Sequence, residues 1–287
     1  VNENLMQDLL TQLTRIADAL APASLPATDW SATAYRWRKK AGQGYLESVL
    51  HPHQVRLDSL KNIEPQKIQV LANTQQFVSG KPANNVLLTG GRGTGKSSLI
   101  KAMLHEFSAH HLRLVEIDRT DLVDLPDVIE TLYGRPERFI VFCDDLSFDE
   151  GDDSYKALKS ALDGTISAPG ENVVIYATSN RRHLLPEYFE ENAAGRKVGE
   201  EIHPAEAVDD KIALSERFGL WLSFYPFSQQ EYLAAVSGWL TGYGILLTPE
   251  NERLALQWAQ ARGGRSGRIA WQFARDLAGK HAMETNS

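Results

Sequence analysis

The sequence predicts an α/β fold: a parallel β-sheet with helices on both faces, followed by a smaller unit built of helices alone. Three observations carry this. Arg138-Phe139-Ile140-Val141-Phe142-Cys143 and Asn172-Val173-Val174-Ile175-Tyr176-Ala177 hold the unbroken apolar runs that central parallel strands need, because such strands are covered on both faces. Strand and helix patterns alternate along residues 64–226. After Pro226 only helical spacing remains.

The elements follow in order. Leu5, Leu9, Leu13, Ile16 and Leu20 recur at helical spacing, so residues 4–20 are expected to form one amphipathic helix. Ala21 to Ala27 holds two prolines and reads as a linker. Trp30 to Lys40 interleaves Trp30, Tyr35 and Trp37 with Arg36, Arg38, Lys39 and Lys40. That pattern suits an anion-binding surface or, preferably, a solvated basic face with its aromatics packed inward. Residues 64–79 read as a helix leading into the strand Val86-Leu87-Leu88. Ser97 to Phe107 reads as a helix with Leu99, Ile100, Met103 and Leu104 on one side. Leu112 to Ile117 and Gly219 to Phe224 are further strands, and Ser154 to Leu162 is a helix. Residues 187–216 are acidic and polar, as in a solvated insertion. Ser228 caps a helix holding Tyr232, Leu233, Val236 and Leu240. Pro249 opens a second with Leu254, Leu256 and Trp258, and a third runs from Ser266 through Ala270, Phe273 and Leu277.

Between the first strand and its helix lies Gly90-Gly91-Arg92-Gly93-Thr94-Gly95-Lys96-Ser97. It fits G-x-x-x-x-G-K-[ST], the phosphate-binding loop of nucleoside triphosphatases, in the strand–loop–helix setting that this loop requires. Glycines let successive N–H groups turn toward phosphate oxygens, and the following helix, from Ser97 and Ser98, adds its free N–H groups and positive end. Lys96 is expected to reach the β- and γ-phosphates and Ser97 to ligate Mg²⁺. Such a loop needs a carboxylate for the metal. Asp144 stands at the tip of the apolar run 139–143 and is assigned that role, while Asp145 is assigned the orientation of the attacking water. Asn180, beyond the run 172–177, is expected near the γ-phosphate; Arg181, Arg182 and His183 follow as phosphate contacts or surface charge.

Composition bounds the partners. The 287 residues suffice for one large or two modest domains, and a net charge of −7 argues against sequence-independent nucleic-acid binding by the whole surface. Cys143 is the single cysteine, which points to a reducing compartment. No apolar stretch reaches the length of a membrane span. Glu3 and Asp8 interrupt the N-terminus, so no signal peptide is expected and cytoplasmic residence follows. The close pairs His51/His53 and His110/His111 lack metal-site spacing.

Together with Leu214-Ser215-Glu216-Arg217-Phe218-Gly219 and Ser266-Gly267-Arg268-Ile269-Ala270, these motifs stand in the order found in AAA+ ATPases. Within that superfamily the chain resembles, over roughly residues 45–280, a bacterial group catalogued mainly as a domain of unknown function. Pro82 to Leu88, Cys143 to Phe148, Ala177 to Leu184 and Ser266-Gly267-Arg268 carry the likeness. The resemblance implies a five-stranded parallel sheet with a helical lid: an N-terminal helical extension over 1–44, a nucleotide-binding domain over 45–226 and a lid over 227–287. It implies that Asn180 senses the γ-phosphate, that Arg217 is an arginine finger acting on a neighbouring subunit, and that Arg268 is a second sensor on the lid. Ile63, in the segment Leu57 to Ile63, is implied to line the adenine pocket. For Arg217, simple pairing with Glu216 or Asp210 is the alternative. One departure stands out: AAA+ enzymes usually carry glutamate where this chain has Asp145.

The leading expectation is a Mg-ATP-dependent AAA+ ATPase, oligomeric in its ATP state, that remodels an unknown protein client. A nucleotide-dependent switch with little hydrolysis, of the helicase-loader type and touching nucleic acid through residues 30–40, is the alternative. A small-molecule kinase shares the loop but requires a second substrate pocket, for which the sequence offers no candidate.

Overall fold

The computed structural model describes residues 6–7, 11–12, 25–148, 152–163, 171–180 and 216–285. The helix expected over 4–20 lies largely outside these, as do Arg181, Arg182, His183 and all but the last residue of the insertion 187–216.

Among the described residues, seven strands form one sheet: β1 (Ala34–Lys40), β2 (Gln43–Ser48), β3 (Val86–Gly90), β4 (Leu112–Ile117), β5 (Arg138–Cys143), β6 (Val173–Ser179) and β7 (Leu220–Phe224). Their order is β2-β1-β4-β5-β6-β3-β7. All neighbours run parallel except the antiparallel pair β1–β2. The helices are α1 (Glu64–Val78), α2 (Lys96–Phe107), α3 (Leu125–Leu132), α4 (Asp153–Asp163), α5 (Gln229–Gly242), α6 (Pro249–Ala261) and α7 (Gly267–Thr285). None of them is long and apolar enough to cross a membrane.

Alternation along β5 and β6 builds two cores. Phe139, Val141, Cys143, Val173, Ile175 and Ala177 face α3 and α4, joining Leu125, Val128, Leu132 and Leu158. Ile140, Phe142, Val174 and Tyr176 face α1 and α2, joining Val70, Phe77, Leu99, Ile100 and Met103. Both strands are buried on both faces, which explains why each reads as an unbroken apolar run. Burial at the core also pushes the Cys143 thiol up to about 12, leaving it an inert packing group. A third core, with Phe227, Tyr232, Val236, Leu240, Ala259 and Phe273, joins α5, α6 and α7. The first of these helices begins with the reciprocal Ser228–Glu231 capping box.

The sheet corrects two expectations. Among the described residues it has seven strands rather than five, and residues 34–48 form a β-hairpin, so the stretch from 34 to 44 is not part of a helical extension. The reason is a period of two: Tyr35 and Trp37 point into the core while Arg36 and Arg38 point out. Ala41 and Gly42, with φ of 50° and 77°, make the two-residue turn that matches the strands' twist. The basic residues are paired: Arg36 with Glu116 at 2.8 Å, Arg38 with Asp118 at 3.0 Å and Lys39 with Asp124 at 2.7 Å. The aromatics thus pack inward, as preferred. Trp37 is 3% exposed and donates its indole N–H to Asp124 at 2.9 Å. Trp37→Ala is therefore expected to cost about 3–5 kcal/mol in urea unfolding; a loss under about 1 kcal/mol, the scale of surface substitutions, would mean that the hairpin is an appendage.

Candidate functional site

β3, β5 and β6 run parallel, so their carboxyl ends meet at one rim of the sheet. β3 passes into the loop 90–97 through Gly90, whose φ is +132° and where a Cβ would lie 2.0 Å from the carbonyl oxygen of Phe224. Gly93, at φ +78°, meets the lid: a Cβ there would stand 2.8 Å from Ser266 Oγ and 3.0 Å from Arg268 Cβ. Glycine lets the loop leave a paired strand sharply at the first position and lets α7 close on the loop at the second. The Arg268 N–H donates to the Gly93 carbonyl at 3.2 Å, and the Thr94 hydroxyl braces the loop through Gly91 at 2.9 Å. No side chain caps the start of α2 after Gly95, so the first-turn N–H groups of Lys96, Ser97 and Ser98 form the kind of helix end that receives an anion.

Lys96 is 5% exposed. Its ammonium donates to the carbonyls of Gly90 at 2.7 Å and Gly91 at 2.8 Å, and to Asn180 Oδ1 at 3.0 Å. Burial holds its pKa below the ordinary lysine value; Asp144 and Asp145 act against that shift, and Arg268 and Arg92 add to it. Three cations therefore gather beside two carboxylates, an imbalance that a bound polyanion would relieve.

The sequence-predicted residues converge here. Asp144 Oδ1 accepts from Ser97 Oγ at 2.7 Å and from Thr178 Oγ1 at 2.5 Å. Asp145, at φ 54°, accepts from the Asn180 amide and lies 3.8 Å from Arg92 Nη2. Ile63 is buried, and its Cδ1 lies 3.4 Å from where a Gly95 Cβ would stand. Arg217 pairs with Asp163 at the end of α4, a partner that the sequence does not suggest; Asp210 lies outside the described residues. Ser97 with Asp144 is a hydroxyl–carboxylate oxygen pair, the donor set that suits Mg²⁺ when phosphate and water complete the shell. Among the described residues no group of three or more His, Cys, Asp or Glu is arranged to hold a metal.

Two contacts are not legible in the sequence. Thr178 stands at the polar end of β6 beside Asp144, in a segment that the sequence marks, but its hydroxyl bridging the two aspartates is not marked there. Asn62 donates to the Glu231 carbonyl at 2.8 Å, tying the segment before α1 to the lid, and nothing in the local pattern marks it.

The family model described as "Protein of unknown function (DUF815)" matches residues 30–281. The chain belongs to the DUF815 family. That match begins at Trp30, so it takes in the hairpin. The DUF815 chain is similar in structure to RuvB of Thermotoga maritima, titled a Holliday junction branch migration motor, with a TM-score of 0.50, 16% identity, and coverage of 77% of this chain and 63% of that one. It is similar also to the FIGL-1 AAA domain solved with ADP, with a TM-score of 0.51, 17% identity, and coverage of 80% and 74%. The fold is thus that of AAA+ domains. A curated relative, the 26S proteasome regulatory subunit 4 homolog of Schizosaccharomyces pombe, is 32% identical over 151 residues. That match takes 46% of this chain and one third of the relative's length, 33%.

The depressed pKa of Lys96 makes a signed prediction. A lysine that binds its proton more weakly when folded than at the unfolded value of 10.5 opposes folding while charged. The opposition fades as pH rises through the lowered value toward 10.5. In nucleotide-free thermal unfolding, the stability of wild type minus that of Lys96→Met is therefore expected to grow as pH rises from neutrality. A difference that stays flat or shrinks would contradict the burial-dominated environment.

Proposed function

We propose that this DUF815 protein is an AAA+ ATPase that binds Mg-ATP at the loop 90–97 and couples binding and hydrolysis to remodelling of a protein client. The observation that carries this reading is the buried Lys96 ammonium on the loop carbonyls and Asn180, beside the Ser97–Asp144 oxygen pair. Lys96 would exchange those carbonyls for β- and γ-phosphate oxygens, while the N–H groups of the loop and of the first turn of α2, including Ser98, take the remaining charge. Ser97 and Asp144 would hold Mg²⁺, which when bound neutralises developing phosphate charge. Asp145 orients and polarises water, and Asn180, bonded to both Lys96 and Asp145, reports the γ-phosphate. Ile63 forms one wall of the adenine pocket, and Arg268 meets the nucleotide from the lid. The separate core that begins at Phe227 supports a division at 226/227, and the contact of Gly93 with Ser266 and Arg268 supports nucleotide-dependent movement across it. Cytoplasmic residence belongs to the same reading, on cysteine usage.

A switch with little hydrolysis is favoured by one feature, Asp145 in place of glutamate. Its nucleic-acid form is disfavoured, because Arg36, Arg38 and Lys39 already serve ion pairs with Glu116, Asp118 and Asp124.

Arg217 lies three residues before β7, an edge strand of the sheet among the described residues, a location that supports action on a neighbour's γ-phosphate in an oligomer. Arg217→Ala is expected to lower turnover by about 10³-fold or more. Mixing it with inactive Lys96→Ala should restore activity, because mixed interfaces join one intact loop to one intact arginine. Full turnover in Arg217→Ala, or active protein that sediments as a monomer with ATP, would overturn the trans mechanism.

A further inference from the structure

We infer that Thr178 is a positioning residue that turns two adjacent aspartates toward the same ligand and so allows an aspartate to stand at position 145. This role rests on the ATPase reading above. In a continued strand, Asp144 and Asp145 would point to opposite faces. Here the chain leaves β5 with Asp145 in the left-handed region, at φ 54°. Both carboxylates then address the loop side: Asp144 reaches Ser97, and Asp145 reaches Asn180 and approaches Arg92. Aspartate enters this backbone region more readily than glutamate does. The turn compensates for the missing methylene.

The Thr178 hydroxyl, on a side chain 1% exposed, holds this turn with both of its capacities. Its proton goes to Asp144 Oδ1, at 2.5 Å, and its oxygen accepts the Asp145 N–H, at 2.9 Å. Leu146 N–H donates to the Thr178 carbonyl at 2.7 Å, and the Ser179 hydroxyl donates to the Leu146 carbonyl at 2.7 Å. The turn 144–146 is thereby stitched to the end of β6, the strand that leads into Asn180. Valine has nearly the same shape but can neither donate nor accept, so it would leave the Asp145 N–H without its partner and leave Asp144 Oδ1 with Ser97 as its one remaining donor of the two.

The test compares Thr178→Val, Thr178→Ser and Asp145→Glu with wild type, by calorimetric titration of ATP with and without Mg²⁺ and by steady-state hydrolysis. Thr178→Val is expected to bind ATP normally without Mg²⁺, to lose about tenfold of the affinity gained with Mg²⁺, and to lose about tenfold or more in kcat with KM little changed, the scale of one charge-assisted hydrogen bond. Thr178→Ser should recover both. Asp145→Glu should turn over more slowly despite its longer reach, which keeps the test open if the valine variant does not fold. Unchanged Mg²⁺ dependence and kcat in folded Thr178→Val, or turnover in Asp145→Glu equal to or above wild type, would overturn the role of Thr178 alone. A wild type that binds no Mg-ATP would overturn the ATPase reading and this role with it. A wild type that binds without hydrolysing leaves the decision to the Mg²⁺ arm, where loss in the valine variant supports the role and no loss overturns it.

Discussion

A buried ammonium must be met by acceptors, and the rim of this sheet is organised around meeting one. Lys96 satisfies itself on Gly90, Gly91 and Asn180, which joins the loop to the end of β6. Asn180 is in reach because β3 and β6 are neighbours in register, with Thr89 opposite Ser179. Asn180 in turn binds Asp145, and Ser97, next to Lys96, binds Asp144. The rim is thus a closed set of mutual contacts among Lys96, Asn180, Asp145, Ser97 and Asp144. Burial makes the ammonium costly, which favours a ligand of opposite charge over the backbone carbonyls that hold it here.

The lid shares in this constraint. Its last helix starts directly over Gly93, where any side chain larger than hydrogen would press on Ser266 and Arg268. The segment before α1 also reaches the lid, through Asn62 and Glu231. Two contacts far apart in sequence therefore link the core to the lid beside the loop, and a ligand that shifts either one changes how the two parts meet.

Much of this was legible beforehand, and the physical reasons are specific. Strands β5 and β6 declared themselves because burial on both faces demands unbroken apolar sequence. The loop and α2 declared themselves because glycines at fixed spacing followed by a lysine have few other uses. The hairpin 34–48 is harder to see, although Tyr35 to Lys40 alternates and is followed by Ala41-Gly42: the inward packing of its aromatics is legible, whereas the carboxylate partners of its basic residues, Glu116, Asp118 and Asp124, lie some 80 residues away. Non-local pairing also hid the Arg217–Asp163 contact and the double use of the Thr178 hydroxyl. Asp145 read as a defect against the glutamate pattern because a left-handed backbone angle leaves no mark on sequence beyond the choice of a short polar residue.

On the proposed function, the contacts of Lys96 are placeholders for phosphate. A crystal structure of the protein with Mg²⁺ and a non-hydrolysable ATP analogue tests it most directly. The account predicts that Lys96 Nζ leaves the carbonyls of Gly90 and Gly91 for β- and γ-phosphate oxygens, with Ser97 and Asp144 facing the metal ion. Analogue bound elsewhere, or bound at the loop with Lys96 still held by the two glycine carbonyls, would contradict it.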